Sequence, residues 1–408
     1  MKTATKIFGY FLMLLCVSAM SATLCFAGEK VLTIGVSDAL TGPGATYGLP
    51  QSNAVKMACE EINAAGGVKV GGDVYKLKVI AYDDKANPTE GVNSVRKLID
   101  RDGVKHILGF ATSGPTSAVA SFIDNEDVLM LVGNAAERSI TTQGIDNLFR
   151  TRPPADYTGA AAGAFVAGRG VKTIAVLGAL EISFYRQYVD SFERVFSQRG
   201  GKVLAMESFS INDRDMNPQL TKIRGLQPSA ILVPGYIEPA SFVYRQASEL
   251  GMKMERYGFT SGSEAQFLKV ASAEQMEGVW DLRPIELVIE EGSKGKAFFD
   301  NYNKMFGIPP SPSAPYAYDQ TYVLKHAIEE AKMVGDIAKL IAVIRKMPVP
   351  KEAVMQYIPT SSGTMFDENG QAYIRNGAFQ WQKAKWVHVT DLPSDVDSYS
   401  KFLRSLRK

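Results

Sequence analysis

Val31-Leu32-Thr33-Ile34-Gly35-Val36-Ser37-Asp38-Ala39-Leu40-Thr41-Gly42-Pro43-Gly44-Ala45-Thr46-Tyr47-Gly48 is the stretch that decides the fold. Its first half is a short apolar run with β-branched residues, and its second half is a glycine-rich loop carrying hydroxyls. A helical pattern follows over 52–64, with Val55, Ala58, Cys59 and Ile62 on one face. Strand, loop and helix in that order begin an α/β unit, and the pattern continues outward from it. Further strands are expected at 77–83, 106–110 and 128–132, and further helices at 88–101 and 116–125. The first of those helices has a clear start, with Asn87 as cap, Pro88 in the first turn and Glu90 reaching back.

After a break at Arg152-Pro153-Pro154 the alternation resumes. Strands are expected at 173–177, 203–207, 230–234 and 257–260, and helices at 184–199, 217–225 and 239–250. The fold class is therefore α/β, with two doubly wound, mainly parallel sheets, each βα series able to form its own. A helical section follows at 292–306, 316–334 and 337–346. The segment 363–389 reads as a pair of β-hairpins turning at Asp367-Glu368-Asn369-Gly370.

With 408 residues the chain is long enough for two domains, and 46% hydrophobic against 22% charged residues supports substantial cores. The formal net charge is +2, all of it contributed by Lys2 and Lys6, so the remainder is neutral. A neutral body has no general attraction for nucleic acid or an anionic membrane, and neither is expected as a partner. Residues 1–27 read as an export signal, a short basic start followed by an apolar run ending in Cys25-Phe26-Ala27, with a cut before Gly28. An uncleaved anchor is the alternative, because about 20 apolar residues can span a bilayer. Cleavage leaves Cys59 as the one cysteine, which excludes an internal disulfide and reads as a small core residue.

In an open parallel sheet, ligands sit beyond the carboxyl ends of the strands. Thr41 to Gly48 follows the first strand, and Ala111-Thr112-Ser113-Gly114-Pro115-Thr116 follows the third and opens a helix. Hydroxyls and free N–H groups at a helix start suit an anion, while the plainer alternative is that Ser113 or Thr116 caps its own helix. Spacing leaves both open. Gly42, Gly44 and Gly48 with Asp83-Asp84 imitate a dinucleotide fingerprint, but Pro43 and Tyr47 are bulky where a pyrophosphate would approach. The three histidines, His106, His326 and His388, are far apart, without metal spacing, and no serine sits in a G-x-S-x-G elbow. No catalytic residue, metal or cofactor is expected, and His106 reads as structural.

The loop from Thr41 to Gly48, Glu61-Ile62-Asn63-Ala64-Ala65-Gly66-Gly67 and Tyr82-Asp83-Asp84 together resemble the leucine/isoleucine/valine-binding protein family. The resemblance continues in order through Gly109 to Ser113, Leu129-Met130, Thr141 to Gly144, Gly235-Tyr236, Pro315-Tyr316 and Phe379-Gln380-Trp381. These are type I periplasmic solute-binding components of ABC importers. The resemblance implies two lobes joined by three crossovers, near 153, 283 and 360, so that 28–153 with 284–359 forms one lobe and 154–283 with 360–408 the other. It implies a periplasmic, monomeric receptor that closes on an amino-acid-like or other small carboxylate and delivers it to a membrane permease with ATPase subunits. A sensory module of the same fold is the alternative from another class.

By the same resemblance, Ser113 with the adjoining Gly114 binds the carboxylate. Tyr47, Tyr236, Phe184, Tyr185 and Tyr318 fall at wall positions, for which core packing is the alternative. An amino-acid binder of the family holds the ammonium with a threonine after an alanine and with a glutamate. Those positions here are Ala136, after Ala135, and Thr260. The family's small disulfide falls on Ala86 and Thr112 and is missing. Unless Glu181, Glu238 or Glu264 reaches in, the site suits an anion with an apolar body, such as an aromatic or branched-chain acid, better than a zwitterion.

Overall fold

The computed structural model describes residues 30–42, 44–260, 264–285 and 287–406. The export signal expected at 1–27 and its cut before Gly28 lie outside these residues. Among the described residues no helix is long and apolar enough to cross a membrane.

The chain opens with β1 (Lys30–Asp38), α1 (Ala45–Ala64), β2 (Val68–Val70), β3 (Asp73–Asp83) and α2 (Pro88–Arg96), which runs on into a π-helical turn, Lys97–Arg101. There follow β4 (His106–Gly109), α3 (Ser113–Ile123), β5 (Leu129–Val132) and β6 (Leu148–Arg150). These strands form one sheet in the order β2-β3-β1-β4-β5-β6, parallel except at β2. Strand pairing puts Ile34 beside Val79 and Gly35 beside Ile107. Both faces of this sheet are covered, so neighbouring residues of one strand enter different cores. Leu129 and Leu131 pack on one side with α1, while Met130 and Val132 pack on the other with α2 and α3. The buried cysteine Cys59 belongs to the first of these cores, and burial pushes its thiol up to about 12.

The second series begins with α4 (Ala155–Gly168), β7 (Thr173–Gly178), α5 (Ser183–Gln198), β8 (Lys202–Ser208) and α6 (Asn217–Gly225). It continues with β9 (Ala230–Pro234), α7 (Ile237–Glu249), β10 (Glu255–Phe259), short α8 (Glu264–Phe267) and α9 (Ala273–Met276), and β11 (Trp280–Pro284). After α10 (Lys294–Phe306), α11 (Ala314–Ala331) and α12 (Ile337–Ile344) come β12 (Tyr357–Ile358) and β13 (Tyr373–Ile374), which pair with each other. The hairpin β14 (Asn376–Gln382) and β15 (Lys385–Asp391) then completes the second sheet, ordered β15-β14-β11-β10-β9-β7-β8, before α13 (Val396–Ser405). The two-sheet α/β architecture read from the sequence is the one the chain adopts.

Several local readings change. Helix α1 begins at Ala45 rather than near 52, carrying Pro50 within it, because Gly44 and Gly48 let it press on the end of β1. A Cβ at Gly48 would lie 2.3 Å from the Ala39 carbonyl oxygen. Of the glycines that imitate a dinucleotide fingerprint, Gly44 and Gly48 thus serve helix–strand packing, and Gly42 takes a positive φ of 73° in the loop. Asp83, part of the same imitation, holds this loop, accepting from the Leu40 N–H at 2.8 Å and the Lys85 N–H at 2.9 Å.

The long hairpin turns at Lys383 and Ala384, both at positive φ (52° and 62°), not at Asp367–Gly370, which makes a separate tight turn. Residues 360–374 contribute Met365, Phe366 and Ala372 to the first core, so the chain enters the second sheet only at β14. Helix α4 and strands β6 and β11 have no counterpart in the sequence reading.

Candidate functional site

In each sheet the strand order reverses direction at one place, between β1 and β4 in the first and between β7 and β9 in the second. Loops leaving neighbouring strands part at such a point and leave a crevice beyond the carboxyl ends. The two crevices face each other across a cavity of about 840 Å³. From the first sheet it receives Tyr47 after β1, Thr112 and Ser113 after β4, Asn134 and Ala136 after β5, and Arg152 after β6. The second sheet supplies Ile182, Phe184 and Tyr185 after β7, Tyr236 after β9, and Phe259 and Thr260 at the end of β10. A larger cavity, about 1060 Å³, lies among the crossover segments around Pro284, Lys294 and Val354. The smaller one is the candidate site, because the strand ends of both sheets open into it.

Ser113 is the first residue of α3, and Thr112 precedes it in extended conformation without capping the helix. The Ser113 hydroxyl accepts from the Glu137 N–H at 3.2 Å, and the Thr116 hydroxyl donates back to the Thr112 carbonyl at 2.6 Å. Neither side chain caps its helix, which removes the plainer of the two readings of this loop. Asp38 lies fully buried beneath, accepting from the Ala111 N–H at 2.8 Å, and burial holds its carboxyl well above the usual range.

The second-sheet wall is aromatic. Tyr185 meets Tyr236 edge-on at 5.6 Å between centroids and Phe184 at 5.2 Å, and Phe184 lies 5.4 Å from Phe259. Behind them Tyr188 stacks flat on Phe259 at 4.0 Å, which ties the wall to the hydrophobic core of the second sheet. Burial raises the phenol of Tyr185, keeping it neutral. Across the mouth, the Arg138 N–H donates to Gln187 Oε1 at 3.1 Å and Ser183 donates to Glu137 Oε1 at 3.4 Å, so the rim joins loops of both sheets. The Ser313 hydroxyl donates to the Tyr47 carbonyl at 2.8 Å and brings the start of α11 to the same edge.

Of the residues singled out in the sequence, Tyr47, Ser113, Ala136, Phe184, Tyr185, Tyr236 and Thr260 meet at this cavity. Three do not line it. Tyr318 is buried in the first core, its hydroxyl donating to Glu61 Oε2 at 2.6 Å, because its helical face turns toward α1 and α10. Ala135 is buried, its N–H bound to the Phe110 carbonyl at 3.0 Å. Gly114 is exposed on the side of α3 that faces Pro88.

None of the three glutamates considered as ammonium partners reaches in. Glu181 is exposed and does not line the cavity, Glu238 lies 3.8 Å from Arg214, and Glu264 accepts from the Trp386 N–H at 3.1 Å. Asn134, Arg152, Ile182, Phe259 and Gln266 are among the wall residues that sequence reasoning missed. Arg152 was visible only as part of an Arg-Pro-Pro break between two series. Among the described residues no cluster of His, Cys, Asp or Glu side chains is placed to hold a metal ion.

Comparison with known proteins matches residues 31–385 to a family model described as periplasmic binding protein. The leucine-, isoleucine-, valine-, threonine-, and alanine-binding protein of Pseudomonas aeruginosa is 28% identical over 322 residues, which cover 77% of this chain and 84% of that protein. A Leu/Ile/Val-binding protein homolog of Brucella melitensis is 26% identical over 383 residues, covering 90% and 97% respectively. Among solved structures, the LivJ substrate-binding protein of Streptococcus pneumoniae in complex with isoleucine superposes with a TM-score of 0.70 at 24% identity, over 89% of this chain and 99% of that one. A solute-binding protein of an ABC transporter from R. palustris, in complex with benzoate, superposes with a TM-score of 0.68 at 19% identity, over 90% and 98%.

Proposed function

The chain belongs to the periplasmic binding protein family, and from that premise we propose that it is the solute receptor of an ABC importer, capturing a small carboxylate between its two lobes. One observation carries the reading. A single cavity of about 840 Å³ is closed on one side by strand-end loops of the first sheet and on the other by aromatic residues of the second. That volume lies in the range of small-molecule sites. Residues 30–150, with α10 to α12 and the segment through β13, form one lobe. Residues 155–284, with the β14–β15 hairpin, form the other, and hinge motion between them admits the ligand.

Ser113, Thr112 and the N-terminal N–H groups of α3 face the ligand's carboxylate, while Tyr185, Tyr236, Phe184 and Tyr47 enclose its apolar body. The named relatives bind branched-chain amino acids in some cases and a benzoate in another, which brackets a carboxylate with an apolar body. After export the protein works in the periplasm and passes its ligand to a permease driven by ATPase subunits.

The experiment is a binding screen over amino acids and organic acids. A true ligand closes the lobes, lowers the radius of gyration in solution scattering, and stabilises the fold by about 2.7 kcal/mol at 100 times its dissociation constant. It is recovered chemically unchanged. Turnover of the bound compound would overturn the receptor reading.

A further inference from the structure

Arg152 is the one charged side chain in the described wall of the cavity. It stands just past β6, where the chain leaves the first sheet, and its guanidinium is held on several sides. Nη1 donates to Asn134 Oδ1 at 2.6 Å and to the Asn134 carbonyl at 3.0 Å. Asn134 is fixed in turn, its Nδ2 donating to the Ala111 carbonyl at 3.1 Å. The guanidinium carbon lies 5.3 Å from the ring centroid of Phe184 and 5.8 Å from that of Tyr316. Phe184 comes from the opposite sheet, so the cation sits where the two walls converge.

No carboxylate of a described residue lies within ion-pair distance of Arg152, although acids surround the cavity at one remove. Each has another partner. Asp38 takes the Ala111 N–H, Asp156 pairs with Arg138 at 3.1 Å, and Glu137 accepts from Ser183. Asp281, behind Thr260, accepts the Thr260 N–H at 3.0 Å and lies 3.3 Å from Arg283. The cation is oriented while its Nε and Nη2 make no hydrogen bond to a described residue. A planar guanidinium so placed matches the two oxygens of a carboxylate.

We propose that Arg152 is the ion-pairing and specificity-determining residue of this cavity, and that it selects small monocarboxylates lacking an α-ammonium group. The inference rests on the receptor reading above and narrows its ligand. An amino acid would bring a second cation beside Arg152 into a wall with no acid to receive it. Like charges so close disfavour each other, and the ammonium would lose its water without compensation. A deaminated acid has its charge matched by Arg152, and its apolar body lies against the Phe184, Tyr185 and Tyr236 rings. Asn134 acts as a positioning residue, holding Nη1 so that the remaining donors face the cavity.

The test uses the mature chain, its Arg152→Gln and Arg152→Lys variants, and titration calorimetry with matched probes. These are leucine against 4-methyl-2-oxopentanoate, phenylalanine against phenylacetate, and benzoate against neutral benzamide. Wild type is expected to bind at least one acid ten or more times as tightly as its amino-acid or amide counterpart. Arg152→Gln is expected to weaken that acid about 10- to 150-fold, the loss of one charge-assisted hydrogen bond or more. It should move benzamide less than threefold, and Arg152→Lys should restore part of the acid's affinity and none of the amide's.

Equal or tighter binding of the amino acids by wild type overturns the inference and leaves the receptor reading standing. So does an equal loss of acid and amide affinity in Arg152→Gln, which marks a structural role. If Arg152→Gln does not fold, Arg152→Lys decides, since a fully retained preference and affinity there would also refute bidentate recognition. Failure of every carboxylate probe to bind wild type refutes the receptor's ligand class and this inference with it.

Discussion

Replacing Gly159 with alanine tests how the second lobe is assembled, because two changes of the same kind in one helix should have opposite signs. Helix α4 lies against α5, and a Cβ at Gly159 would fall 2.1 Å from the Tyr188 carbonyl oxygen. Ordinary contact begins near 3.4 Å, so the two backbones must separate by roughly 1.3 Å. The obstacle is backbone and cannot rotate away. Overpacking of this kind costs about 1–3 kcal/mol, with a contact this close at the upper end, and the higher helix propensity of alanine returns about 1 kcal/mol, leaving a net loss of up to about 2 kcal/mol. Gly168, at the exposed end of the same helix, has nothing within 4 Å, so Gly168→Ala should gain up to about 1 kcal/mol. Urea unfolding followed by fluorescence measures both, with the slope checked for constancy. Helix α5 also carries Phe184, Tyr185 and Tyr188, so forcing it outward disturbs the aromatic wall as well as the core. A Gly159→Ala variant as stable as wild type, or more so, would refute the close-packing argument.

Other substitutions separate the site from its supports. Ser113→Ala should weaken a bound carboxylate about 10- to 150-fold, through one charge-assisted hydrogen bond worth roughly 1.5–3 kcal/mol, and calorimetry on any ligand from the screen reads it. Unchanged affinity would remove Ser113 from the site. Tyr318→Phe should leave affinity within about twofold and lower stability by about 1 kcal/mol, because it deletes a hydrogen bond to Glu61 inside the first core. A large affinity loss there would return Tyr318 to the wall. His106 is buried, and burial followed by the Lys105 charge lowers its imidazole to about 4. Between pH 6.5 and 4 the unfolded chain binds a proton that the folded chain refuses, so His106 contributes stability that is present above pH 6.5 and declines to about 3 kcal/mol less near pH 4. Asp319 and Asp84 are raised by burial, to about 7 and about 6, and work in the opposite direction. The comparison is therefore wild type against His106→Leu, whose stability difference should shift in the variant's favour as the pH falls through this window. A difference independent of pH would show that His106 titrates alike in both states.

Much of the fold was legible in local pattern. The parallel strands are buried on both faces and read as unbroken apolar runs, so β5 and β9 stood out between polar breaks; β9 runs Ala230–Pro234, as expected. Helix α2 declared itself through its cap, Asn87 accepting from the N–H groups of Thr89 and Glu90. Helix α4 was missed because its small residues, Ala155 to Gly168, carry no apolar stripe, and most of it is buried all round. The long hairpin was misplaced because Asp367-Glu368-Asn369-Gly370 is the stronger turn signal, yet Lys383 and Ala384 take the positive φ that the strand pairing demands.

The sequence by itself determined two βα series and a loop rich in hydroxyls at Ser113, because these depend on neighbours in the chain, while Tyr47, Phe184, Tyr185 and Tyr236 were marked as wall positions only by the family resemblance. Only the tertiary structure decided which of those residues share a cavity and which, like Tyr318, face a core, since a tyrosine on a helix reads the same in either place. It alone placed Arg152 and Asn134 in the wall. A cleft assembled from loops of two sheets has no local signature, and the charge of an arginine beside two prolines acquires a direction only when the loops around it are set.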